Sequence, residues 1–190
     1  MIRLFIALEI PQDTKKQITE IIDSLKAKGG NVKWVSSYNL HLTLKFLGNT
    51  EQSMVGDIEN TLANAIKVDK PIASSLIKLG GFPNLKSPKV IWVDIDKNRE
   101  QIIQLAKTID LSLSEIGFDK ENKAFKPHLT LGRVKDTKDI NKLSEFLQQL
   151  KIEPIDCSFD SLSLIKSTLT QKGPIYKTLY KLKFSERFGD

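Results

Sequence analysis

The sequence has few of the features that build disulfides, membrane spans and signal peptides. Its single cysteine, Cys157, excludes an internal disulfide and favours a reducing compartment. No apolar stretch approaches the ~20 residues of a membrane span, and Arg3 and Glu9 interrupt the apolar amino-terminal segment, unlike the core of a signal peptide. We therefore expect a cytoplasmic protein without membrane attachment, in which Cys157 is a buried strand residue and not a nucleophile.

Arginine is scarce as well, since the chain has only Arg3, Arg99, Arg133 and Arg187, whereas lysines are spread along its length. The formal net charge of +6 favours anionic partners such as nucleic acid or nucleotides. A chain of 190 residues that is 40% hydrophobic is long enough for one well-buried domain and short for two. We expect a single bilobed domain over residues 1–190 and a monomer.

Three common enzyme signatures are missing from the sequence. There is no Gly-x-Ser-x-Gly, no Gly-Lys-Ser/Thr and no Gly-x-Gly-x-x-Gly. These absences exclude the serine-hydrolase elbow, the Walker A phosphate loop and the dinucleotide fingerprint.

Both histidines of the chain occur in one repeated tetrapeptide, His41-Leu42-Thr43-Leu44 and His128-Leu129-Thr130-Leu131. In a strand, alternate side chains share a face, so each copy predicts His and Thr together on one face with the leucines in the core behind them. An imidazole exchanges a proton near neutral pH, and a hydroxyl hydrogen-bonds an oxyanion. Two such pairs facing each other predict a site for a phosphoryl group between a proton donor and a proton acceptor.

Other features repeat at nearly the same spacing. The motifs are 87 residues apart, and this offset also places Thr50 on Thr137 and the apolar run 4–8 on 91–95. An offset of 88 superposes Ser75-Leu76-Ile77-Lys78 on Ser163-Leu164-Ile165-Lys166. This self-similarity predicts an internal duplication whose two halves share a core.

Apolar periodicity predicts an alternation of strands and helices in both halves. We expect strands at 3–8, 33–35, 40–47, 72–79, 90–95, 128–134, 159–166 and 175–184, and helices at 13–27, 51–66, 99–116 and 139–150. The segment 80–88 is rich in turn residues. The predicted class is α+β.

A metal site is the main alternative for the two histidines. Neither histidine has a neighbouring carboxylate or cysteine in the sequence, and threonine is a poor ligand for transition metals. We therefore expect catalysis without a metal and without a cofactor.

Three segments resemble the 2H phosphoesterase superfamily, and more closely its bacterial and archaeal RNA 2′,3′-cyclic phosphodiesterases, once called 2′-5′ RNA ligases. The segments are Arg3-Leu4-Phe5-Ile6-Ala7-Leu8, Trp34-Val35 with 39–48, and 125–134. The resemblance implies a bilobed fold with pseudo-twofold symmetry, in which two antiparallel sheets backed by helices flank a central cleft. It also implies metal-free hydrolysis of a terminal 2′,3′-cyclic phosphate of RNA, or of a cyclic nucleotide, to a 2′-phosphomonoester.

The resemblance further assigns roles that the symmetric sequence leaves open. It makes His41 the proton donor to the leaving 3′ oxygen and His128 the base that activates water, with Thr43 and Thr130 on the phosphoryl oxygens. Phe46 and Arg133 are expected substrate contacts, although strict alternation points them away from the His-Thr face, so a bulge or a strand end must redirect them. Lys45 is expected to be exposed. Trp34 and Phe5 are expected to pack in the core, with stacking on a terminal base as the alternative.

Two rival functions remain at this level. The reverse chemistry, with an RNA 5′ hydroxyl in place of water, would make a 2′-5′ ligase or transferase. A noncatalytic RNA-end or nucleotide-binding module is the other rival, but binding alone would not require two proton-transfer groups.

Overall fold

The structure is a computed structural model that describes residues 1–136, 138, 140–171 and 173–184. The expected match of Thr50 with Thr137, the predicted helix start at Asp139 and the fourth arginine, Arg187, lie outside the described residues. No helix among the described residues has the length and apolar character needed to cross a membrane.

The described chain forms nine strands and four α-helices in an order close to the predicted one. The strands are β1 (Ile2–Glu9), β2 (Val32–Trp34), β3 (His41–Thr50), β4 (Ile72–Phe82), β5 (Val90–Ile95), β6 (His128–Val134), β7 (Ile155–Phe159), β8 (Ser161–Thr170) and β9 (Gly173–Lys183). The helices are α1 (Gln12–Lys26), α2 (Val55–Ala65), α3 (Arg99–Ser114) and α4 (Ile140–Gln149), with short 3-10 helices at Ser37–Asn39 and Gln52–Met54.

Two strand predictions need correction. The strand expected at 159–166 crosses Asp160, which separates β7 from β8, and residues 155–158 of β7 lie outside the predicted bounds. The strand expected at 72–79 continues as β4 to Phe82, because Gly80 and Gly81 remain extended and pair with β5. A Cβ at Gly80 would lie 2.2 Å from the Trp92 ring, so only glycine allows this approach.

The strands form two antiparallel sheets, which confirms the predicted fold class. The first sheet has the order β3-β1-β8-β9 and the second has the order β2-β6-β5-β4-β7. Each sheet therefore contains the motif strand of one half, paired with the first strand of that half. The third strand of each sheet comes from the other half of the chain, because β8 joins the first sheet and β4 joins the second.

The helices cover the sheets on the side away from the motif histidines. Helix α1 packs against α4 and β7, whereas α2 packs against α3 and β9, and α3 also contacts β3. One continuous hydrophobic core joins buried residues of both sheets and all four helices. In α1 the buried residues Ile18, Ile22 and Leu25 follow the helical period, and Gly29 and Gly30, at φ +84° and +83°, end the helical segment.

Strand pairing in the two sheets has the same irregularity. In the β1–β3 pair the register shifts between Ile6 and Ala7, so Leu44 is an extra residue in β3. In the β5–β6 pair it shifts between Ile91 and Trp92, so Leu131 is extra in β6. Each motif strand therefore has a β-bulge directly after its threonine.

The pairing also corrects the offset expected for the first strands. Glu9 pairs with His41, and Asp94 pairs with His128. By strand register β1 therefore matches β5 at an offset of 85 residues, instead of the expected 87. The internal duplication itself stays a prediction.

Candidate functional site

The two motif strands lie next to each other, since β3 of the first sheet contacts β6 of the second. In both strands the leucines of the motif are buried, with Leu42 and Leu129 at 0% exposure, whereas the histidines and threonines are half-buried on the opposite face. The hydroxyls of Thr43 and Thr130 have no hydrogen-bond partner among the described residues. The structure thus places the four predicted motif side chains on two strands that contact each other.

Both imidazoles are oriented by the backbone in the same way. His41 Nδ1 lies 2.6 Å from the carbonyl oxygen of Asn39, and His128 Nδ1 lies 2.7 Å from that of Lys126. Because a carbonyl only accepts, each Nδ1 carries the proton. Nε2 is therefore the atom that accepts a proton in the neutral ring and donates one in the charged ring.

Each imidazole is also packed against two aromatic rings. The His41 ring centroid lies 4.8 Å from that of Phe5 and 5.3 Å from that of Tyr176. The His128 centroid lies 5.1 Å from that of Phe82 and 5.9 Å from that of Trp92. Sequence reasoning did not find Tyr176, Phe82 and Trp92 as neighbours of the motifs, because only pairing of distant strands places them there.

Burial in this aromatic setting disfavours the charged imidazoles. It lowers the pKa of His41 to about 4, against the opposing hydrogen bond to Asn39 and with a smaller contribution from Lys15. Burial also lowers the pKa of His128, where the Lys126 carbonyl and Asp94 favour the charged form and Arg133 and Arg99 disfavour it. Without a ligand, both rings are therefore neutral at pH 7.

The carboxylates opposite the histidines are both held by cations. Glu9 accepts hydrogen bonds from Lys181 Nζ at 2.6 Å and Ser163 Oγ at 2.5 Å. Asp94 Oδ1 accepts a hydrogen bond from Arg99 Nη1 at 2.7 Å, and Lys78 Nζ lies 3.6 Å from Asp94 Oδ2. Burial raises the pKa of Glu9, but its bonds to Lys181 and Ser163 outweigh burial and the net pKa is lowered. Both groups are therefore committed to structural ion pairs.

The bulges redirect the residues that follow the motifs. Phe46 pairs with Phe5, its ring 6.1 Å from the Phe5 ring, and its side chain is 57% exposed. Arg133 pairs with Val90 and Lys33 and is exposed. Both side chains thus return to the face of His41 and His128, as a bulge was expected to arrange.

The same bulge makes the expectation for Lys45 wrong. Lys45 is only 3% exposed, because the extra residue Leu44 turns it toward the core. Its ammonium donates to Asp110 Oδ1 at 2.5 Å and to the Asp119 carbonyl at 2.8 Å. Asp110 also accepts from the backbone N–H of Glu121. Lys45 of the first motif strand therefore holds the loop that leads to Lys126 and His128.

The second motif strand supports the segment before His41 through its backbone. Gly132, the counterpart of Lys45, pairs with Trp34, and the N–H of Val35 donates to the Leu131 carbonyl at 2.8 Å. A Cβ at Gly132 would lie 2.7 Å from Val32 and 2.8 Å from Trp34, so glycine lets β2 approach. Each motif strand thus supports the segment that leads to the histidine of the other.

The remaining sequence predictions can be placed directly. Phe5 is 3% exposed and forms the floor below His41, and Trp34 packs against the core. Cys157 is buried in β7, and burial raises the pKa of its thiol to about 11, which makes it a weak nucleophile. Within the described part of the chain, no three His, Cys, Asp or Glu side chains are grouped to hold a metal ion.

These features define a class of site: two imidazoles with matched tautomers and two threonine hydroxyls, on neighbouring motif strands of two sheets. The chain matches the model of the 2′-5′ RNA ligase superfamily over residues 11–171. It is 35% identical to the RNA 2′,3′-cyclic phosphodiesterase of Thermotoga maritima, covering 96% of this chain and 95% of that protein. It is 36% identical to the enzyme of that name from Methanocaldococcus jannaschii, covering 93% and 98%.

Solved structures agree with the fold. A crystal structure of a Thermus thermophilus protein superposes with a TM-score of 0.79 at 24% identity, covering 97% of this chain and 98% of that one. Escherichia coli LigT complexed with 3′-AMP superposes with a TM-score of 0.76 at 22% identity, covering 97% and 99%. The chain belongs to the 2′-5′ RNA ligase superfamily.

Proposed function

We propose that this protein is an RNA 2′,3′-cyclic phosphodiesterase that hydrolyses a terminal cyclic phosphate to a 2′-phosphomonoester. The observation that supports this most is the matched pair of imidazoles, each held through Nδ1 by a backbone carbonyl so that Nε2 is free. The relatives that bear this activity in their names are similar over nearly the whole chain.

The reaction needs one proton taken and one proton given on opposite sides of phosphorus. His128 Nε2 accepts the proton of the attacking water as its oxygen bonds to phosphorus, and the bond from phosphorus to O3′ breaks. His41 Nε2 donates its proton to O3′, which leaves a 3′ hydroxyl and a 2′-phosphate. Each proton transfer contributes ~10²–10⁴ in rate.

The acid must first be charged, although burial lowers the pKa of His41 to about 4. A phosphate anion bound beside the imidazole favours its charged form and therefore raises that pKa. We propose that His41 takes up its proton as the substrate binds. Thr43 and Thr130 then donate to the non-bridging oxygens, where charge increases in the transition state.

Arg133 and Phe46 complete the proposed substrate contacts. The guanidinium of Arg133 is exposed on the cleft face and lies close enough to His128 to lower its pKa. A planar guanidinium suits a phosphate or the product monoester. Phe46 offers an exposed ring at the equivalent position of the first motif strand.

The deciding experiment is turnover of a 2′,3′-cyclic nucleotide in the presence of EDTA, with phosphorus NMR of the products. We expect undiminished turnover and the 2′-phosphate alone. A 3′-phosphate or a mixture would contradict the proposed placing of the ribose, and strict dependence on an added divalent ion would contradict the metal-free mechanism. Binding of the cyclic nucleotide without turnover would indicate that the protein is a noncatalytic RNA-end-binding module.

A 2′-5′ ligase or transferase is the second candidate, because the matched family is named for that activity. It would use the same two histidines, with an RNA 5′ hydroxyl replacing water. At ~55 M water, hydrolysis dominates unless two RNA ends are held together. Incubating a cyclic-phosphate-terminated RNA with a 5′-hydroxyl RNA and measuring joined against hydrolysed product separates the two.

We also propose that the protein acts as a monomer in the cytoplasm. Each motif strand supports the loop of the other within one chain, so the site needs no second copy. Sedimentation of the purified protein and fractionation of its native cells test the two statements.

A further inference from the structure

Three cations on the cleft face have no carboxylate partner. Arg3, Lys33 and Arg133 are exposed, and in the described part of the chain none of them forms an ion pair or a side-chain hydrogen bond. Three other cations near the histidines are paired, because Lys181 pairs with Glu9, and Arg99 and Lys78 pair with Asp94. Unpaired like charges repel one another, so such a group favours an anionic ligand.

The three cations lie near β9 although they come from both sheets. Lys33 pairs with Arg133 in the strand register, and its side chain lies beside Gly173 at the start of β9. Arg3 pairs with Ser167, which pairs with Tyr176 of β9. Burial raises the pKa of Tyr176, and both Arg133 and Arg3 oppose that rise, so the Tyr176 hydroxyl lies within the field of both guanidiniums.

The carboxylates lie at the other end of the motif strands. Glu9 pairs with His41, and six residues of β1, or about 20 Å at ~3.3 Å per residue, separate it from Arg3. Asp94 pairs with His128, whereas Arg133 pairs with Val90. The carboxylates of the cleft face therefore lie beside the histidines, whereas Arg3, Lys33 and Arg133 lie beyond the bulges and form no ion pair with a described residue.

We propose that Arg3 and Lys33 bind the phosphodiester that precedes the cyclic phosphate, so that the RNA leaves the site toward the positive end of the cleft. The terminal phosphoryl group lies between the histidines, and the rest of the RNA continues from its 5′ side. The opposite end attracts the chain less, because the carboxylates of Glu9 and Asp94 lie there and repel a second phosphate. This inference rests on the proposed function and adds a second phosphate subsite to it.

The test compares three substrates: a cyclic mononucleotide, a dinucleotide with a cyclic phosphate end, and the same dinucleotide with a neutral methylphosphonate linkage. The two dinucleotides have the same bases and differ in one charge. We expect a kcat/KM about tenfold higher for the charged dinucleotide than for the neutral one, since charge-assisted hydrogen bonds to phosphate are the stronger kind. Added salt should reduce this difference.

The matched variants are Arg3→Gln with Lys33→Gln, and Lys97→Gln as a control. Arg3 and Lys33 are exposed, and Lys97 is an exposed lysine that pairs with Asp156 away from the cleft. We expect the double variant to treat the two dinucleotides alike, with mononucleotide turnover within about twofold of wild type. The Lys97 variant should keep the wild-type preference.

The outcomes separate this inference from the function on which it rests. Equal kcat/KM for the two dinucleotides in the wild type would overturn the second subsite while cyclic-phosphate hydrolysis stands. A preference that survives the double variant would also overturn it. Absence of turnover with all three substrates would instead overturn the proposed function.

Discussion

The two halves of this protein repeat the elements of proton transfer and differ in what surrounds them. Each half has the His-x-Thr pair, the bulge after threonine and the Nδ1 bond to the carbonyl two residues earlier. The next two residues differ, since Lys45 and Phe46 in one half correspond to Gly132 and Arg133 in the other. The symmetric part suits a reaction that needs an acid and a base, while the asymmetric part suits a substrate that is not symmetric.

The histidines themselves also differ in electrostatic setting. Lys15 disfavours the charged form of His41, whereas Arg133 and Arg99 disfavour and Asp94 favours that of His128. His41 is the more deeply buried ring and has the pKa of about 4. The ligand must therefore contribute more to charging His41 than to charging His128.

The largest expected effect comes from removing either imidazole. His41→Ala and His128→Ala should each lower kcat/KM for a cyclic nucleotide by ~10²–10⁴-fold, because each removes one proton transfer. The fold should persist, since both rings lie at the cleft. Steady-state kinetics with circular dichroism as the folding control checks this. A variant with more than about a tenth of wild-type activity would contradict the role of its histidine.

Replacing a threonine should reduce turnover less than replacing a histidine. The reduction should be equal for Thr43 and Thr130 if the symmetry extends to the phosphoryl oxygens. Thr43→Ala or Thr130→Ala should lower kcat by roughly 10–10³-fold through lost transition-state hydrogen bonds, and the double variant more. Thr→Ser at each position keeps the hydroxyl and serves as the control. Full activity in the double alanine variant would disprove the phosphate contact.

The pH dependence should reveal the difference between the histidines. The reaction needs one charged and one neutral ring, and both pKa values are lowered, that of His41 to about 4. The plot of kcat/KM, which reports the free enzyme, should therefore peak below pH ~6.5 and fall about tenfold per pH unit on its alkaline limb. The kcat profile should peak at higher pH, because bound phosphate favours the charged ring.

NMR titration of the two imidazoles gives an independent readout of the same difference. In the ligand-free protein His41 should titrate near the value of about 4, and added inorganic phosphate should raise it. A His41 ring that titrates at its ordinary value would contradict the desolvation argument.

Substitution of the two residues that follow the bulges, Lys45 and Gly132, should have the smallest effect on turnover. It should have a measurable effect on stability. Lys45→Met leaves Asp110 and the Asp119 carbonyl without their buried donor and should cost about 3 kcal/mol of unfolding free energy. Gly132→Ala should cost about 1–3 kcal/mol, because its Cβ overlaps Val32 and Trp34.

Urea unfolding measures both changes, with Lys97→Met as the control. The exposed Lys97–Asp156 pair should contribute less than about 1 kcal/mol. A Lys45 variant no less stable than the Lys97 variant would show that the buried ion pair does not hold the loop.

Much of this arrangement could be predicted from the sequence. The second motif strand has the predicted bounds, His128–Val134, and polar and apolar residues alternate there up to the bulge at Leu131. The strand predicted at 159–166 crosses the break between β7 and β8 because Asp160 is the only residue between them. The alternation pattern counts faces along one strand and cannot detect such a short break.

The bulges explain the error at Lys45. A bulge is defined by the partner strand, which skips a residue, and the sequence of β3 alone does not specify which residue is skipped. The aromatic neighbours were out of reach for a similar reason, because Tyr176 meets His41 only after β9 has joined the first sheet. The sequence therefore shows which side chains form the two motifs. It does not show the aromatic rings and the burial that lower the pKa values of the histidines.

The exchange of β4 and β8 between the sheets has a consequence for how the molecule assembles. A polypeptide cut in the segment 84–88 would give two fragments, the first lacking β8 and β9 of its motif sheet and the second lacking β2 and β4 of its own. Neither fragment can close its hydrophobic face alone, while together they can reconstitute both. Pairing of β1 with β8 also joins residues as far apart as Arg3 and Ser167, so the first sheet completes only after most of the chain has been synthesised. Pairing over so long a sequence separation raises the contact order, which slows folding.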